Sequence, residues 1–276
     1  MENSTIQIIY EDESVLVINK PAGITVNRSE TAKEDTVHDW AEEYLKIRSP
    51  VPYGTGRSTE HPPRGENFEC LNRGGIVHRL DKETSGVLLL AKTPEVFVEL
   101  QRQFKERLVE KTYIALVHGM VKPSIGEIRA PVGRLPWNRK QFGIVPGGRE
   151  SVTKYKVISN FKFPHSAEAS PNRPTRRGKQ ISNDQYEELT LVELHPETGR
   201  THQIRVHLKY IGHPIVSDFL YAGRKTARDD RKHLSRVFLH AQSLSFLHPT
   251  TGERKTVSAH FPEELSAFLN SLEKVE

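Results

Sequence analysis

The chain has a single cysteine, Cys70, among 276 residues. An internal disulfide and a Cys-rich zinc site are therefore both excluded, and a reducing compartment suits the composition. No apolar run approaches the roughly 20 residues needed to span a bilayer. The opening residues Met1-Glu2-Asn3-Ser4-Thr5 lack the basic-then-apolar pattern of a secretory signal. A cytoplasmic location is the expectation. There is no internal repeat, and no large excess of one charge: Lys+Arg 40 against Asp+Glu 35 leaves +5. By itself that excess does not demand a polyanionic partner.

The distribution of charge says more. Residues 1–46 hold ten acidic and four basic side chains, whereas residues 200–236 hold nine basic and three acidic ones. Positive charge is concentrated late in the chain, as a nucleic-acid footprint requires. The length fits one large domain or two intimate halves. Thirteen histidines raise the possibility of a metal site. His202 and His207, however, are five apart and do not share a helix face as an i, i+4 pair does, and no carboxylate lies between them.

Along the chain, Ile6–Tyr10 and Val15–Asn19 flank a Glu-Asp-Glu-Ser turn and read as two short strands. Lys20-Pro21-Ala22-Gly23 breaks that run. Thr36-Val37-His38-Asp39 has the form of a capping box, with Val37, Trp40, Ala41, Tyr44 and Leu45 at helical spacing behind it. From Ser49 to Arg73 the chain is rich in Pro and Gly and reads as a long loop. Thr93-Pro94-Glu95 is a strong helix start, and Lys111–Val117 reads as a central strand. Gly126–Arg134 and Ser151–Ile158 read as strands joined by a basic connection through Arg139 and Lys140. Phe163–Asp184 reads as a polar insertion and Tyr186–His195 as a strand. Thr201 is placed to cap a short helix that Gly212 ends. Arg224–Arg236 reads as a basic loop. A terminal strand pair, Val237–Leu247 and Thr256–Phe261, precedes a closing helix bearing Leu265, Phe268, Leu269 and Leu272. This order predicts an α+β domain built on a long mixed, mainly antiparallel sheet with helices packed on it.

The stretch that carries chemistry is His78-Arg79-Leu80-Asp81-Lys82-Glu83-Thr84-Ser85-Gly86, followed by the apolar run Val87–Ala91. An isolated carboxylate at the mouth of a buried strand is costly unless something pairs with it. Far downstream, Arg205 sits beside the apolar stripe Ile204, Leu208, Ile211 and needs a carboxylate of its own. A glycosidase would need a second carboxylate across the cleavage point. Only Glu83 and Asp218 lie near the basic motifs, neither clearly placed. A non-catalytic RNA-binding protein is the other alternative.

Residues 78–86 resemble the HRLD-x-x-TSG motif of the RluA-type pseudouridine synthases, which isomerise uridine in ribosomal or transfer RNA. Asn19–Gly23 is similar to that family's N-K-P-A-G turn, Lys111 and Tyr113 to its K-x-Y, and Val132-Gly133-Arg134 to its I-G-R step. Gly199–His207 is similar to G-R-T-H-Q-I-R-V-H, and Gly212–Tyr221 to G-H-P-I-x-G-D-x-x-Y with Ser217 in place of glycine, a departure read as lying off the chemistry. The resemblance runs from about Ile6 to the last strand.

It implies a single catalytic domain over 1–276 without a separate N-terminal RNA-binding domain, with loop insertions at 49–73 and 163–184, and a sheet bisected by a catalytic cleft. Asp81 is implied as the nucleophile, Tyr113 as the face on which uracil stacks and a carrier of a proton, and Arg205 as the partner of Asp81. Arg79 is implied to fill the gap that a flipped base leaves. RNA contacts are implied for Arg79, His78, Thr84 and Lys111, and for Arg134, Arg200, His202 and Gln203. Ile204 and Leu80 are implied to line a dry pocket. Neither a cofactor nor a metal is expected, the partner is RNA, and a monomer is the expected state.

Overall fold

The computed structural model describes residues 6–28, 35–46, 66–164 and 186–275. Most of the two expected insertions, residues 47–65 and 165–185, lie outside the described residues. The chain opens with strands β1 (Gln7–Glu11) and β2 (Val15–Lys20), antiparallel around a turn. Asp12 closes that turn, its Oδ1 accepting the main-chain N–H groups of Ser14 and Val15 at 2.8 Å each. Helix α1 (Val37–Leu45) starts at the expected capping box, in which Thr36 and Asp39 each receive the other's main-chain N–H.

Helix α2 (Glu66–Asn72) corrects the expected loop over 49–73. It buries Cys70 and stops on Gly74 and Gly75, at φ +55° and +73°, whose N–H groups donate to Leu71 and Cys70. Seven residues are too few for a helical period to show in the sequence. Strand β3 (Ser85–Ala91), helix α3 (Pro94–Lys105) with its Thr93 cap, and strand β4 (Glu110–His118) follow as expected.

The expected strand over 126–134 is two, β5 (Ile125–Arg129) and β6 (Val132–Leu135), parted at Pro131, which has no N–H to give a ladder. The basic stretch expected as a connection is itself a strand, β7 (Asn138–Ile144), antiparallel to β6. Strand β8 (Val152–Pro164) runs past its expected end at Ile158, and β9 (Tyr186–Pro196) precedes helix α4 (Gln203–Tyr210). Helix α5 (Arg224–Asp230) stands where a basic loop was expected. Strands β10 (Leu239–Leu247) and β11 (Arg254–Ser258), helix α6 (Glu263–Asn270) and strand β12 (Glu273–Val275) complete the order. Ten strands belong to one mixed, mainly antiparallel sheet, and β6 and β7 form a second, two-stranded one. The fold is α+β, as the element order predicts. No helix among the described residues is long and apolar enough to cross a membrane.

The chain divides into two compact units. The first comprises Met1–Tyr113, His195–Thr201 and Leu239–Pro262. Within it the strands run β1-β2-β3-β10, with β11 on β10. Every residue of β3 is buried, because both faces of the strand are covered. Val87, Leu89 and Ala91 pack with Phe97 and Leu100 of α3. Leu88 and Leu90 pack on the other face with Ile76, Leu80 and the α1 residues Val37 and Ala41. This is why residues 87–91 read as one continuous apolar run.

The second unit comprises Ile114–Leu194, His202–Phe238 and Glu263–Glu276. Here β8 pairs with both β5 and β12. Phe268 of α6 packs on Phe163 and Phe238 at ring separations of 5.8 Å and 6.2 Å.

Strand β3 starts with a parallel pairing to β10, Ser85 to His240 and Gly86 to Ala241. Gly86 lies at φ +116°, and a Cβ there would stand 2.1 Å from the Ala241 carbonyl oxygen. The Gly86→Ala variant is therefore expected to lose at least about 3 kcal/mol in urea unfolding. A loss under about 1 kcal/mol would show that the two backbones do not approach in this way.

Candidate active site

Asp81 opens a turn that leads into β3: its main-chain oxygen accepts the Thr84 N–H at 3.1 Å. The residue is half-buried, between buried Leu80 and buried Thr84. The turn is tied down from behind by Lys20, the last residue of β2. Its side chain is fully buried, and its ammonium donates to the carbonyls of Pro21 at 2.7 Å, Ile24 at 2.9 Å and Lys82 at 3.2 Å. The Lys82 carbonyl also accepts the Gly23 N–H at 2.8 Å. A buried ammonium needs such a set of acceptors, and the effect is to hold the 20–24 turn and the Asp81 turn as one piece. The sequence reading gave Lys20 no role. A lysine ending an otherwise apolar strand was the available signal.

Tyr113 packs against the core cluster that contains Leu80, Ile76 and Leu88. Burial, and secondly the nearby charge of Asp81, push its phenol above the usual tyrosine range. At neutral pH the ring is therefore a protonated, flat, partly apolar surface beside the Asp81 carboxylate. Lys111, two residues earlier on the same strand, has its ammonium pushed down to about 8, mainly by burial and then by Arg107. Arg79 is exposed and takes no ion pair among the described residues. Arg200, also in this unit, is half-buried.

His78 behaves differently from its basic neighbours. Its Nε2 accepts the Leu89 N–H at 3.0 Å, and its ring stacks on Phe104 at 4.8 Å. Burial, with Lys111 and Arg73 close by, pushes the imidazole down to about 3. The ring is thus a neutral part of the architecture that holds the 78–81 segment to β3.

In the second unit the chemistry gathers around Arg205 on α4, only 6% exposed. Its Nε donates to Asp218 Oδ2 at 2.7 Å and its Nη2 to Asp218 Oδ1 at 2.9 Å. Asp218, fully buried, also accepts the N–H groups of Leu220 and Tyr221 at 3.0 Å and 3.2 Å. A carboxylate with four donors offsets the cost of burying both charges. It is spoken for, and does not fit the second acid of a glycosidase. The Arg205 guanidinium lies over the Tyr221 ring, 5.0 Å from its centroid. The Tyr221 hydroxyl accepts the Phe142 N–H at 3.1 Å, which leaves its own proton for His202 Nδ1 at 2.8 Å. Arg134, exposed on β6, stands over Phe142 at 5.3 Å.

Helix α4 differs from its expected start. His202, not Thr201, is the capping residue; it sits at φ +56° and makes no side-chain cap. The left-handed turn puts its ring against Phe142 and Tyr221. Gln203, buried, donates to the Val152 carbonyl and to Thr153 Oγ1, both at 3.0 Å. His207 joins Thr153 Oγ1 at 3.0 Å and the Ala130 carbonyl at 3.1 Å. These two side chains fasten α4 to the start of β8. Ile204 is buried, as expected. Asp218 was weighed in the sequence only as a possible second acid, and neither it nor Tyr221 was read as a partner of Arg205. They end the Gly212–Tyr221 segment, and their D-x-x-Y spacing is the i, i+3 step of a turn that faces both side chains to one neighbour.

Two outcomes test this reading of the first unit. Lys20→Met removes the ammonium from the Pro21, Ile24 and Lys82 carbonyls, of which Lys82 keeps the Gly23 N–H, and is expected to cost on the order of 3 kcal/mol in urea unfolding; no loss would mean the turns stand without the tie. For His78 the folded ring titrates near 3 and the unfolded ring near about 6.5. The unfolded chain binds the extra proton in between, so stability is present above about pH 6.5 and is lost as pH falls toward 3. His78→Gln, which can still accept the Leu89 N–H, is expected to flatten the acid slope of the unfolding free energy. An unchanged slope would assign it to other groups.

Comparison with known proteins bears on the same residues. The family model for RNA pseudouridylate synthase matches residues 14–210, which include both the Asp81 turn and Arg205. An uncharacterised RNA pseudouridine synthase of Aquifex aeolicus is 35% identical, over 99% of this chain and 75% of the relative. The ribosomal large subunit pseudouridine synthase D of Xanthomonas campestris is 34% identical, over 97% of this chain and 69% of the relative. Among solved structures, human RNA pseudouridylate synthase domain containing 1 superposes with a TM-score of 0.67 at 25% identity, covering 100% of this chain and 92% of that one. With the HRLD turn, the K-x-Y strand and the buried Arg205 all inside the matched span, the chain belongs to the RNA pseudouridylate synthase family, enzymes that isomerise uridine to pseudouridine in RNA.

Proposed function

We propose that Asp81 is the nucleophile of this isomerisation, that Arg205 serves it as cationic partner, and that Tyr113 carries the target uracil. The observation that supports this best is the pairing of Tyr113 with the charge of Asp81 on a turn held by Lys20. Asp81 must be ionised to attack either the ribose anomeric carbon or uracil carbon 6. A guanidinium beside it favours that form and selects its rotamer. The covalent adduct, on the ribose if the anomeric carbon is attacked and on the base if carbon 6 is, divides glycosidic cleavage and carbon–carbon bond formation into two easier steps. Tyr113 offers a flat face on which the base turns. Because its phenol is protonated at neutral pH, it acts first as a donor, and it can take a proton only after giving up its own.

The target base must leave the stack, which costs a few kcal/mol and least in a loop or bulge. Exposed Arg79, two residues before Asp81, is placed in the chain to occupy the vacated gap. Lys111, Arg134, Arg200 and His202 supply further polar and basic contacts, while Thr84, Gln203, Leu80 and Ile204 shape and dry the pocket. His78 joins this set by fixing the strand behind it. The proposed substrate is structured ribosomal or transfer RNA, a choice supported by relatives named for the large ribosomal subunit. The proposed setting is the cytoplasm, with the protein acting as a monomer.

Asp81→Asn or Asp81→Ala is expected to abolish tritium release from RNA labelled at uracil carbon 5, with RNA affinity retained in filter binding. Turnover in either variant would overturn the nucleophile. Arg205→Met is expected to cut the rate by orders of magnitude. A change below about tenfold, roughly 1.4 kcal/mol, would remove it from the mechanism.

A further inference from the structure

Asp218 is held in place by its main chain, and that main chain is held by a group of side chains which the mechanism above does not use. His118, the last residue of β4, has Nδ1 2.5 Å from Glu187 Oε1 at the start of β9 and Nε2 3.1 Å from Asp230 Oδ2 at the end of α5. The same Asp230 oxygen accepts the Ser217 N–H at 2.7 Å. Ser217 lies at φ +63°, in the left-handed region that favours glycine. Three contacts keep it there. Besides the bond to Asp230, its hydroxyl donates to the Leu234 carbonyl at 2.7 Å, and its carbonyl accepts Arg231 Nε at 3.1 Å. The next residue is Asp218, whose carboxylate orients Arg205. A serine in place of glycine therefore sits next to the carboxylate that binds Arg205.

We propose that His118, bridging Glu187 and Asp230, is a positioning residue for the reaction: through Asp230 it sets the Ser217–Asp218 backbone, and through Asp218 the direction of the Arg205 guanidinium. The inference rests on the reading of Arg205 as partner of Asp81. Asp230 receives two donors on one oxygen, so loss of the His118 N–H would release that oxygen from the ring and loosen the turn. Both imidazole nitrogens face carboxylates. Burial disfavours the charged ring, but Asp230 and then Glu187 outweigh it and hold the imidazole up at about 9. Asp230 and Glu187 are the charged groups that act on the ring among the described residues. Arg231 Nε binds the Ser217 carbonyl, and His213 Nδ1 binds the main-chain oxygen of His118 at 2.9 Å. His118, Glu187 and Asp230 have the composition of a metal site, yet a ring that bridges two carboxylates through both nitrogens is arranged as a hydrogen-bonded cation, not as a ligand.

The sign follows from linkage. The folded ring keeps its proton up to about 9, whereas an unfolded histidine loses it near about 6.5. The ordering of the turn is thus complete at neutral pH and is lost as pH rises through about 9. A purely structural ion pair would alter melting without giving the chemical step its own pH dependence.

The test is single-turnover tritium release on total cellular RNA, labelled at uracil carbon 5 and taken from cells lacking this protein. Wild type, Asp230→Asn, His118→Gln, Glu187→Gln and Arg205→Met are compared from about pH 6 to about pH 10. Asp230→Asn is expected to lower the saturating rate at least about tenfold while the enzyme concentration giving half that rate stays the same. The wild-type rate is expected to fall as pH passes about 9. Glu187→Gln should move that fall to lower pH, and His118→Gln should remove it, leaving a low, flat rate. Glu187 lies at the edge of the cluster with 29% of its side chain exposed, so its variant decides the matter even if Asp230→Asn fails to fold.

Wild-type rates in the Asp230 and His118 variants, or an alkaline fall at the same pH in every protein, would overturn the inference. With Arg205→Met inactive in the same assay, that result would leave the reading of Arg205 standing. An active Arg205→Met would remove both. One equivalent of zinc retained by the wild type after dialysis and lost in His118→Gln would replace the inference with a metal site.

Discussion

A guanidinium taken out of water must be given a carboxylate and enough further acceptors to satisfy its N–H groups. In this protein that requirement organises the second unit. Arg205 points into the interior from α4, and Asp218 meets it with both oxygens. To bring Asp218 there, the chain after α4 adopts a left-handed residue at Ser217 and a tight turn through Tyr221. Tyr221 then lies under the guanidinium and reaches β7 and His202 through its hydroxyl. The separate β6–β7 hairpin, the N-terminus of α4 and the 212–221 segment are thereby joined around one buried charge. Removal of either partner would leave the other charged in a dry interior, a loss of about 3–5 kcal/mol.

The first unit meets a related problem with the opposite charge outward. Asp81 is only half-buried, so the main chain, more than the carboxylate, needs support. Lys20 supplies it from below, its ammonium on three carbonyls. Gly86 supplies it from ahead by letting β3 lie directly against β10. A carboxylate on so constrained a turn, acting as the proposed nucleophile, loses little entropy on reaching the attacking geometry. The buried lysine and the close-packed glycine thus connect backbone geometry to chemistry, although neither touches a reacting atom.

The elements with strong local signals were legible in the residues: the Thr36 and Thr93 caps, the apolar β3, and the Gly212 stop. Those missed have a common physical cause. Helices α2 and α5 are seven residues each, less than two full turns of pattern, and α5 is basic and largely polar. Strand β7 carries Arg139, Lys140 and Gln141 in succession, so neither period nor apolarity marked it. Ser217 was readable as a departure from glycine, but its sequence says nothing about the Asp230 and Leu234 acceptors that make serine tolerable there.

The residues of the site were legible because their chemistry is local and short-range in sequence. The HRLD turn, the K-x-Y strand and the G-R-T-H-Q-I-R-V-H helix each announce a side-chain type at a defined place on an element. Their partners were not. A carboxylate that neutralises Arg205 is chosen by which oxygen the fold brings within about 3 Å, and nothing in the spacing distinguishes Asp218 from other acids. The same holds for His78, which is basic by residue type yet neutral in its place against Phe104. Sequence alone determined the family and the α+β class, and named the side chains proposed to react. Tertiary structure alone decided which of them are charged and what holds each one still, because desolvation and hydrogen-bond geometry exist only once distant segments have packed.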